Sequence, residues 1–464
     1  MMNYLENKVE DVQIAYIGGG SRGWAWGLMS DLASESSLSG TVRLYDIDMH
    51  AAQTNEIIGN KLNELKDIQS HWNYTAVSSL KEALTGADFV VISILPGTFK
   101  EMYSDVHTPE KYGIYQAVGD TVGPGGYIRA LRTIPMYEEI ALAIKAYSPA
   151  AWVINYTNPM SICVKTLYKV FPEIKAFGCC HEVFGTQKLL ASMIKEVTGT
   201  PNVSRQDIKI NVLGINHFTW ITEATYKGKD LFPMYESFVN QFYETGFEED
   251  DKDHWMNNSF ESAQRVKFDL FKRFGVIAAA GDRHLAEAVN GKWYLKDPET
   301  VAEWKFGLTT VDWRINDLNS RLERSTRLAN GEEAFELKET GEEGVLQIKA
   351  LLGLTDLVTN VNIPNTGQIP NLPLGTIVET NALFRKDRVE PIMAGNIPNP
   401  IYGMVATHVS NQETIVEAGL SGNKKIAFSA FINDPLVILP YAEAEALFEE
   451  MLNNTRKYLP KNFK

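Results

Sequence analysis

The stretch between Val12 and Asp46 limits the fold more than any other part of the chain. Residues 12–17 form an apolar run that leads directly into Gly18-Gly19-Gly20-Ser21-Arg22-Gly23, and a second apolar run ends at Asp46. The glycines satisfy G-x-G-x-x-G, and Asp46 follows Gly23 by 23 residues (46 − 23). Taken alone the pattern is weak, because glycines also mark ordinary turns. Placed after a buried strand, at the start of a helix and ahead of a second strand tipped by an acid, it reads as a dinucleotide loop. Glycines let the backbone approach a pyrophosphate, the helix N-terminus favours that anion, and an acid can accept from a ribose diol. An acid there disfavours a 2′-phosphate, so the expected cofactor is NAD. The candidate cofactor residues are Gly18, Gly20, Ser21, Arg22, Gly23 and Asp46.

Short apolar runs alternate with helical spacing through the first ~200 residues, which predicts parallel strands joined by crossover helices. Strands are expected at 12–17, 42–45, 88–94, 152–155 and 174–178, and helices at 51–65 and 128–146. The predicted fold is α/β: a Rossmann-like doubly wound parallel sheet of the lactate and malate dehydrogenase type over 10–200. A mixed α+β domain for substrate, metal and oligomerisation is expected over 201–464. Within it, 208–225 reads as one extended run, 248–253 as an acidic surface stretch, 341–380 as rich in turns, and 435–458 as holding a closing helix. Two further predicted strand ends carry Ser93-Ile94-Leu95-Pro96-Gly97 and Asn155-Tyr156-Thr157-Asn158-Pro159. Ligands of such sheets bind at carboxyl strand ends, which adds Pro96 to the cofactor candidates. Asn158 fits either an Asn-Pro turn or an amide that binds a sugar hydroxyl or nicotinamide.

A formal charge of −14 argues against a nucleic-acid partner, which would call for a basic face. Apolar runs stay below the ~18 residues of a membrane span. Three cysteines, two of them adjacent, cannot form a secreted-type disulfide framework. The expected setting is the cytoplasm, and the expected assembly is a homodimer or homotetramer.

Reactive groups gather in three places: Gly178-Cys179-Cys180-His181-Glu182-Val183, Asn216-His217, and Gly281-Asp282-Arg283-His284. One thiolate and one imidazole cannot close a structural zinc site, yet they can hold a divalent ion with positions open for substrate. Buried structural residues are the alternative for Cys180 and His217, as a helix cap is for Asp282. His50, His71, His107 and His254 are expected at the surface.

Together these segments resemble the NAD- and metal-dependent glycoside hydrolases of family four, and the resemblance spans most of the chain. In that family NAD⁺ takes hydride from C3 of the sugar, which acidifies the C2 proton. A base removes that proton, the C1–O bond breaks by elimination, water adds, and the hydride returns. The resemblance implies Cys180 and His217 as metal ligands, usually for Mn2+, and His181 as the acid that assists the leaving group. It implies Asp282 as the C2 base, Asn158 and Glu182 at the sugar, and Arg283 as a cation for a substrate carboxylate, with Arg129 and Arg132 as other sources of charge. Family members that cleave phosphosugars tend to carry Asp-Asn after the metal cysteine. The Cys-His-Glu-Val form is similar to the α-galacturonidase members, so the expected substrate is an α-linked uronide. The same family also holds α-glucosidases, α-galactosidases and α-glucuronidases. A 2-hydroxy-acid dehydrogenase would share the sheet but needs no cysteine–histidine pair, and a nucleotide-sensing protein needs no proton-transfer groups at the rim.

Overall fold

The computed structural model describes residues 2–249, 254–258, 260–338, 340–460 and 463, so 250–253 of the acidic stretch lie outside the described residues. The first half contains β1 (Val9–Ile17), α1 (Trp24–Ala33), β2 (Leu38–Tyr45), α2 (Met49–Lys61), β3 (Trp72–Val77), β4 (Phe89–Ile92), α3 (Gly123–Tyr147), β5 (Trp152–Asn155), α4 (Met160–Val170) and β6 (Lys175–Gly178). These strands pair in parallel in the order β3-β2-β1-β4-β5-β6. That is the doubly wound order, whose direction reverses between β1 and β4 and opens a crevice beyond the carboxyl ends there. The fully apolar β4, Phe-Val-Val-Ile, is buried along its whole length, as a strand covered on both faces must be.

Strand β3 was not among the predicted strands. It sits at the end of the parallel row, where only Trp72 and Tyr74 are buried and Asn73 is exposed. An edge strand with one wet face carries no continuous apolar run for sequence reasoning to find.

The second half adds α5 (Glu182–Thr198), β7 (Ile208–Ile215), β8 (Phe218–Tyr226), α6 (Arg265–Phe274), α7 (Asp282–Glu287), α8 (Val311–Asn330), β9 (Leu357–Pro364), β10 (Ile377–Arg385), β11 (Arg388–Pro391), α9 (Asn399–Ser421) and α10 (Tyr441–Thr455). The extended run expected at 208–225 is an antiparallel hairpin, β7 on β8, linked by Asn216 and His217. A short segment, Ile277–Ala278, pairs with Ile221 and Trp220 of β8 and leads into α7. The region expected to be turn-rich, 341–380, holds β9 and the start of β10, and the turn-rich part is the link between them. Asn362 of β9 pairs antiparallel with Gly178, so β9, β10 and β11 extend the first-half sheet past β6. Mixed pairing thus begins where the second half joins.

Helix α3 ties the halves together. Ile128, Leu131 and Ile134 of α3 share one apolar cluster with Trp220, Leu285, Val405 and Phe448. Each large side chain buried this way contributes about 1.5–3 kcal/mol relative to exposure. No described helix is long and apolar enough to cross a membrane.

Candidate active site

The loop after β1 is shaped by close contacts. Gly18 has φ +93°, and both it and Gly19 donate N–H to the Tyr45 carbonyl at 2.9 Å. A Cβ on Gly18 would lie 1.9 Å from the Ser93 carbonyl oxygen. Ser21 N–H closes the turn on the Gly18 carbonyl at 3.0 Å. Asp46 accepts from Gly20 N–H through Oδ2 at 2.9 Å and from Asp48 N–H through Oδ1 at 2.9 Å, which places the carboxylate beside the loop. Asn55 of α2, which sequence reasoning missed, donates Nδ2 to the carbonyls of Gly19 and Ser21 and accepts from Trp26 Nε1. Helix α1 has no side-chain cap and no acid in its first turn, which leaves its N-terminus open to an anion. From α8, Arg321 reaches over the loop and donates to the Arg22 carbonyl at 3.3 Å. A Cβ on Gly23 would meet that same guanidinium at 2.6 Å. Pro96, beyond β4, offers its carbonyl to Arg132 Nε at 2.8 Å. These residues fit a dinucleotide: a close-approach loop, an open helix end and an acid at the second strand.

His217 projects from the β7–β8 link into the same rim. Its Nδ1 lies 2.9 Å from Thr121 Oγ1, and its ring stacks on His284 with centroids 3.9 Å apart. Asp120, from the loop before α3, places Oδ1 3.9 Å from His284 Nε2. One ligand atom from each of Asp120, His217 and His284 falls within 4.8 Å of the others. Burial, and then the charge of His284, push His217 down to about 3, so its imidazole is neutral as a metal ligand must be. Burial opposes ionisation of Asp120, but His284, His217 and Arg129 outweigh it and hold the carboxyl well below its usual range. Burial likewise opposes protonation of His284, and Glu182 and Asp120 outweigh it, so its pKa is raised. Its Nε2 is buried and has no hydrogen-bond partner among the described residues. A neutral imidazole beside an ionised carboxylate is a donor set that fits a divalent cation.

Cys180 stands outside that trio. Its thiol is buried, and burial followed by Glu379 and Glu182 pushes its pKa well up. Glu379 on β10 accepts from Asn216 Nδ2 at 3.1 Å and from Asn360 Nδ2 at 2.7 Å, and Asn360 also donates to the Cys180 carbonyl at 3.3 Å. One buried carboxylate therefore braces both the Cys180 backbone and the residue preceding His217. Cys179 packs away, with its thiol on Gln347 Oε1 at 3.0 Å.

The other sequence candidates fall in different surroundings. His181 is 55% exposed at the rim, held through Nδ1 to Glu342 at 2.8 Å. Glu182 accepts from Gly281 N–H at 2.6 Å and faces His284 Nδ1 at 3.3 Å. Asn158 donates to Asp120 at 3.2 Å and keeps a buried Oδ1 that has no partner among the described residues. Arg129 gives Nε to the Asn158 carbonyl at 3.1 Å. Arg132 is fully buried against Asp105, so its charge is already matched. Arg283 donates to the Ala117 carbonyl at 3.1 Å and to Thr309 Oγ1 at 2.5 Å. Asp282 is buried with both oxygens accepting from the first amides of α6, Val266 at 3.2 Å and Lys267 at 3.1 Å, and burial raises its pKa to about 6. His107, expected at the surface, is instead clasped between Glu110 and the Val311 amide.

Asp120 carries no motif of its own, and its only signal is the glycine-rich context Gly119-Asp120-Thr121-Val122-Gly123 at a helix start. Glu287 of α7 accepts from Val118 N–H at 2.7 Å and Gly119 N–H at 2.9 Å. The helix bearing His284 thereby positions Asp120.

Comparison with known proteins finds relatives over nearly the whole chain. An α-galacturonidase of Thermoanaerobacterium saccharolyticum is 66% identical, with 99% of this chain and 98% of that protein covered. A crystal structure of a Bacillus subtilis protein, 54% identical, superposes with a TM-score of 0.92 over 96% of this chain and 100% of that one. A 6-phospho-α-glucosidase from gut microorganisms, solved with NAD and Mn2+, shares the fold at 21% identity, with a TM-score of 0.79 over 97% of this chain and 99% of that one. Residues 13–196 match the Family 4 glycosyl hydrolase description and residues 212–437 match its C-terminal domain. The chain therefore belongs to the family 4 glycosyl hydrolases.

Proposed function

We propose that the chain is a cytoplasmic α-galacturonidase that requires NAD and a divalent metal such as Mn2+. The observation that carries this reading is that Asn158, beyond the carboxyl end of β5, donates to Asp120, which brings the His217–Asp120 pair to the sheet rim that also bears the Gly18 loop. The uronide substrate rests on the 66%-identical relative, an α-galacturonidase. Three free, buried cysteines suit a reducing compartment.

When bound, NAD⁺ would exchange hydride at C3 while the metal would draw charge from the C2 and C3 oxygens. The residues divide the remaining work. His217, neutral and fixed by Thr121, would hold the metal with Asp120 and, as the family resemblance implies, Cys180. Glu182 facing Nδ1 raises the basicity of His284 and favours the tautomer with its proton on Nδ1, so the neutral ring would present its buried Nε2 lone pair as a proton acceptor. That geometry supports His284 as the acceptor of the C2 proton better than Asp282, whose oxygens cap α6. His181, anchored by Glu342 at Nδ1, keeps Nε2 for proton delivery to the leaving oxygen. The buried, unpaired Asn158 Oδ1 is placed to accept from a sugar hydroxyl.

Incubation with p-nitrophenyl α-D-galacturonide tests the reading. The expected result is nitrophenol release that needs both NAD⁺ and Mn2+ and accumulates no NADH. Release that persists after both are removed would contradict it, as would lactate- or malate-driven NADH formation.

A further inference from the structure

Arg129 and Arg283 stand near Asp120, and Arg314 shares the Phe260 ring with Arg283, although the chain as a whole carries a net charge of −14. Burial is the chief cause that lowers the pKa of both Arg129 and Arg283, the charge of Arg314 lowers each further, and the Asp120 carboxylate opposes the shift in both. Arg283 and Arg314 lie over the same Phe260 ring, with guanidinium carbons 4.9 and 5.9 Å from its centroid. The three differ in what their nitrogens already do. Arg129 is committed through Nε to the Asn158 carbonyl, and Arg283 through Nη2 to Ala117 and Thr309. Arg314, in the first turn of α8, is half-buried and has no ion pair with any described residue. Among the described residues its side chain meets the Phe260 face and makes no side-chain hydrogen bond. An uncommitted planar fork beside two like charges is poised for an anion that accepts two parallel hydrogen bonds, as a carboxylate does.

We infer that Arg314 is a specificity-determining residue that binds the C6 carboxylate of the uronide, with Arg283 and Arg129 supplying the surrounding positive field. The inference rests on the uronide reading above. It assigns to α8 a contact with the sugar that the sequence motifs do not reveal, since Arg314 lies in none of them. Arg321, two turns further along α8, reaches the dinucleotide loop. One helix would thus touch both the substrate and the cofactor loop.

The test compares wild type, Arg314→Gln and Arg314→Lys on p-nitrophenyl α-D-galacturonide and p-nitrophenyl α-D-galactoside. Inhibition by D-galacturonate and by D-galactose, and NAD binding by fluorescence, are measured alongside. Arg314→Gln is expected to lower kcat/KM for the uronide, and the affinity for D-galacturonate, by about 10–100-fold, the range for a lost charge-assisted pair. Galactoside turnover, D-galactose inhibition and NAD binding should stay within about twofold. Arg314→Lys should fall between the two, since it keeps the charge and loses the fork. If wild type prefers the uronide but Arg314→Gln leaves that preference unchanged, or weakens both sugars equally, the assignment of Arg314 is overturned and the function stands. If wild type shows no preference for the uronide in turnover or inhibition, the reading and this inference fall together.

Discussion

Replacing His217 with asparagine should lower Mn2+ affinity and turnover of the uronide by more than about a hundredfold. Residues that merely orient a ligand cost about 10–100-fold when removed, and His217 is the residue on which both lines of evidence converge. The family resemblance pairs it with Cys180, and the geometry pairs it with Asp120. Its surroundings are built for that role, because burial keeps the ring neutral and Thr121 fixes Nδ1. The Gly18 loop stands on β1 and α1, while His217 stands on the β7–β8 link, so NAD binding should survive the change. Calorimetric titration of Mn2+ and of NAD⁺ into the same variant separates the two. Unchanged Mn2+ affinity would remove His217 from the metal site. Cys180→Ser, measured in the same way, shows whether the thiolate joins the pair, since this structure places it beside Asn216 and Glu379.

The second large effect is expected at Gly18. Alanine there must adopt φ near +93°, which costs about 1–2 kcal/mol for a residue with a Cβ. The same Cβ would sit 1.9 Å from the Ser93 carbonyl oxygen, and overpacking of that kind adds about 1–3 kcal/mol. The clash is with backbone, so no side chain can swing aside, and the loop must shift away from β4. A displaced loop loses close approach to the pyrophosphate. At about 1.4 kcal/mol per tenfold, NAD affinity should fall by at least about 30-fold, and the melting temperature should fall with it. Gly403→Ala is the matched control. That glycine lies inside α9 with nothing within 4 Å of an added Cβ, and the substitution should leave NAD binding unaltered. Equal NAD affinity in Gly18→Ala and wild type would contradict this account of the loop.

The parallel sheet was legible because burial on both faces writes continuous apolar runs into the sequence, as in Phe89–Ile92. Edge strand β3 was not, since its wet face interrupts the pattern with Asn73 and Thr75. The strands β9 and β10 escaped for a different reason. Their buried positions include Asn360, Asn362, Glu379 and Thr380, polar residues that look like loop chemistry in a sequence, and Asn360 and Glu379 among them are hydrogen-bonded beneath Cys180. The dinucleotide loop was readable because its physics requires a fixed local order of residues. The metal and proton-transfer groups were only half readable. His217 and the 281–287 cluster stood out by composition, but the contact between His217, His284 and Asp120 joins three distant segments. Arg283, an arginine suited to a carboxylate in sequence, gives Nη2 to Ala117 and Thr309 in the fold, an engagement that no local pattern announces.

If the glycosidic bond breaks by removal and return of the C2 proton of a transiently oxidised sugar, with His284 and the metal-bearing rim beside it, solvent hydrogen enters the product at C2. Hydrolysis of the α-galacturonide in D2O, with NAD⁺ and Mn2+ present and the product examined by NMR, tests this directly. The expected result is one deuterium at C2 of the released galacturonic acid and no build-up of NADH. Release of galacturonic acid that retains its original hydrogen at C2 would contradict it.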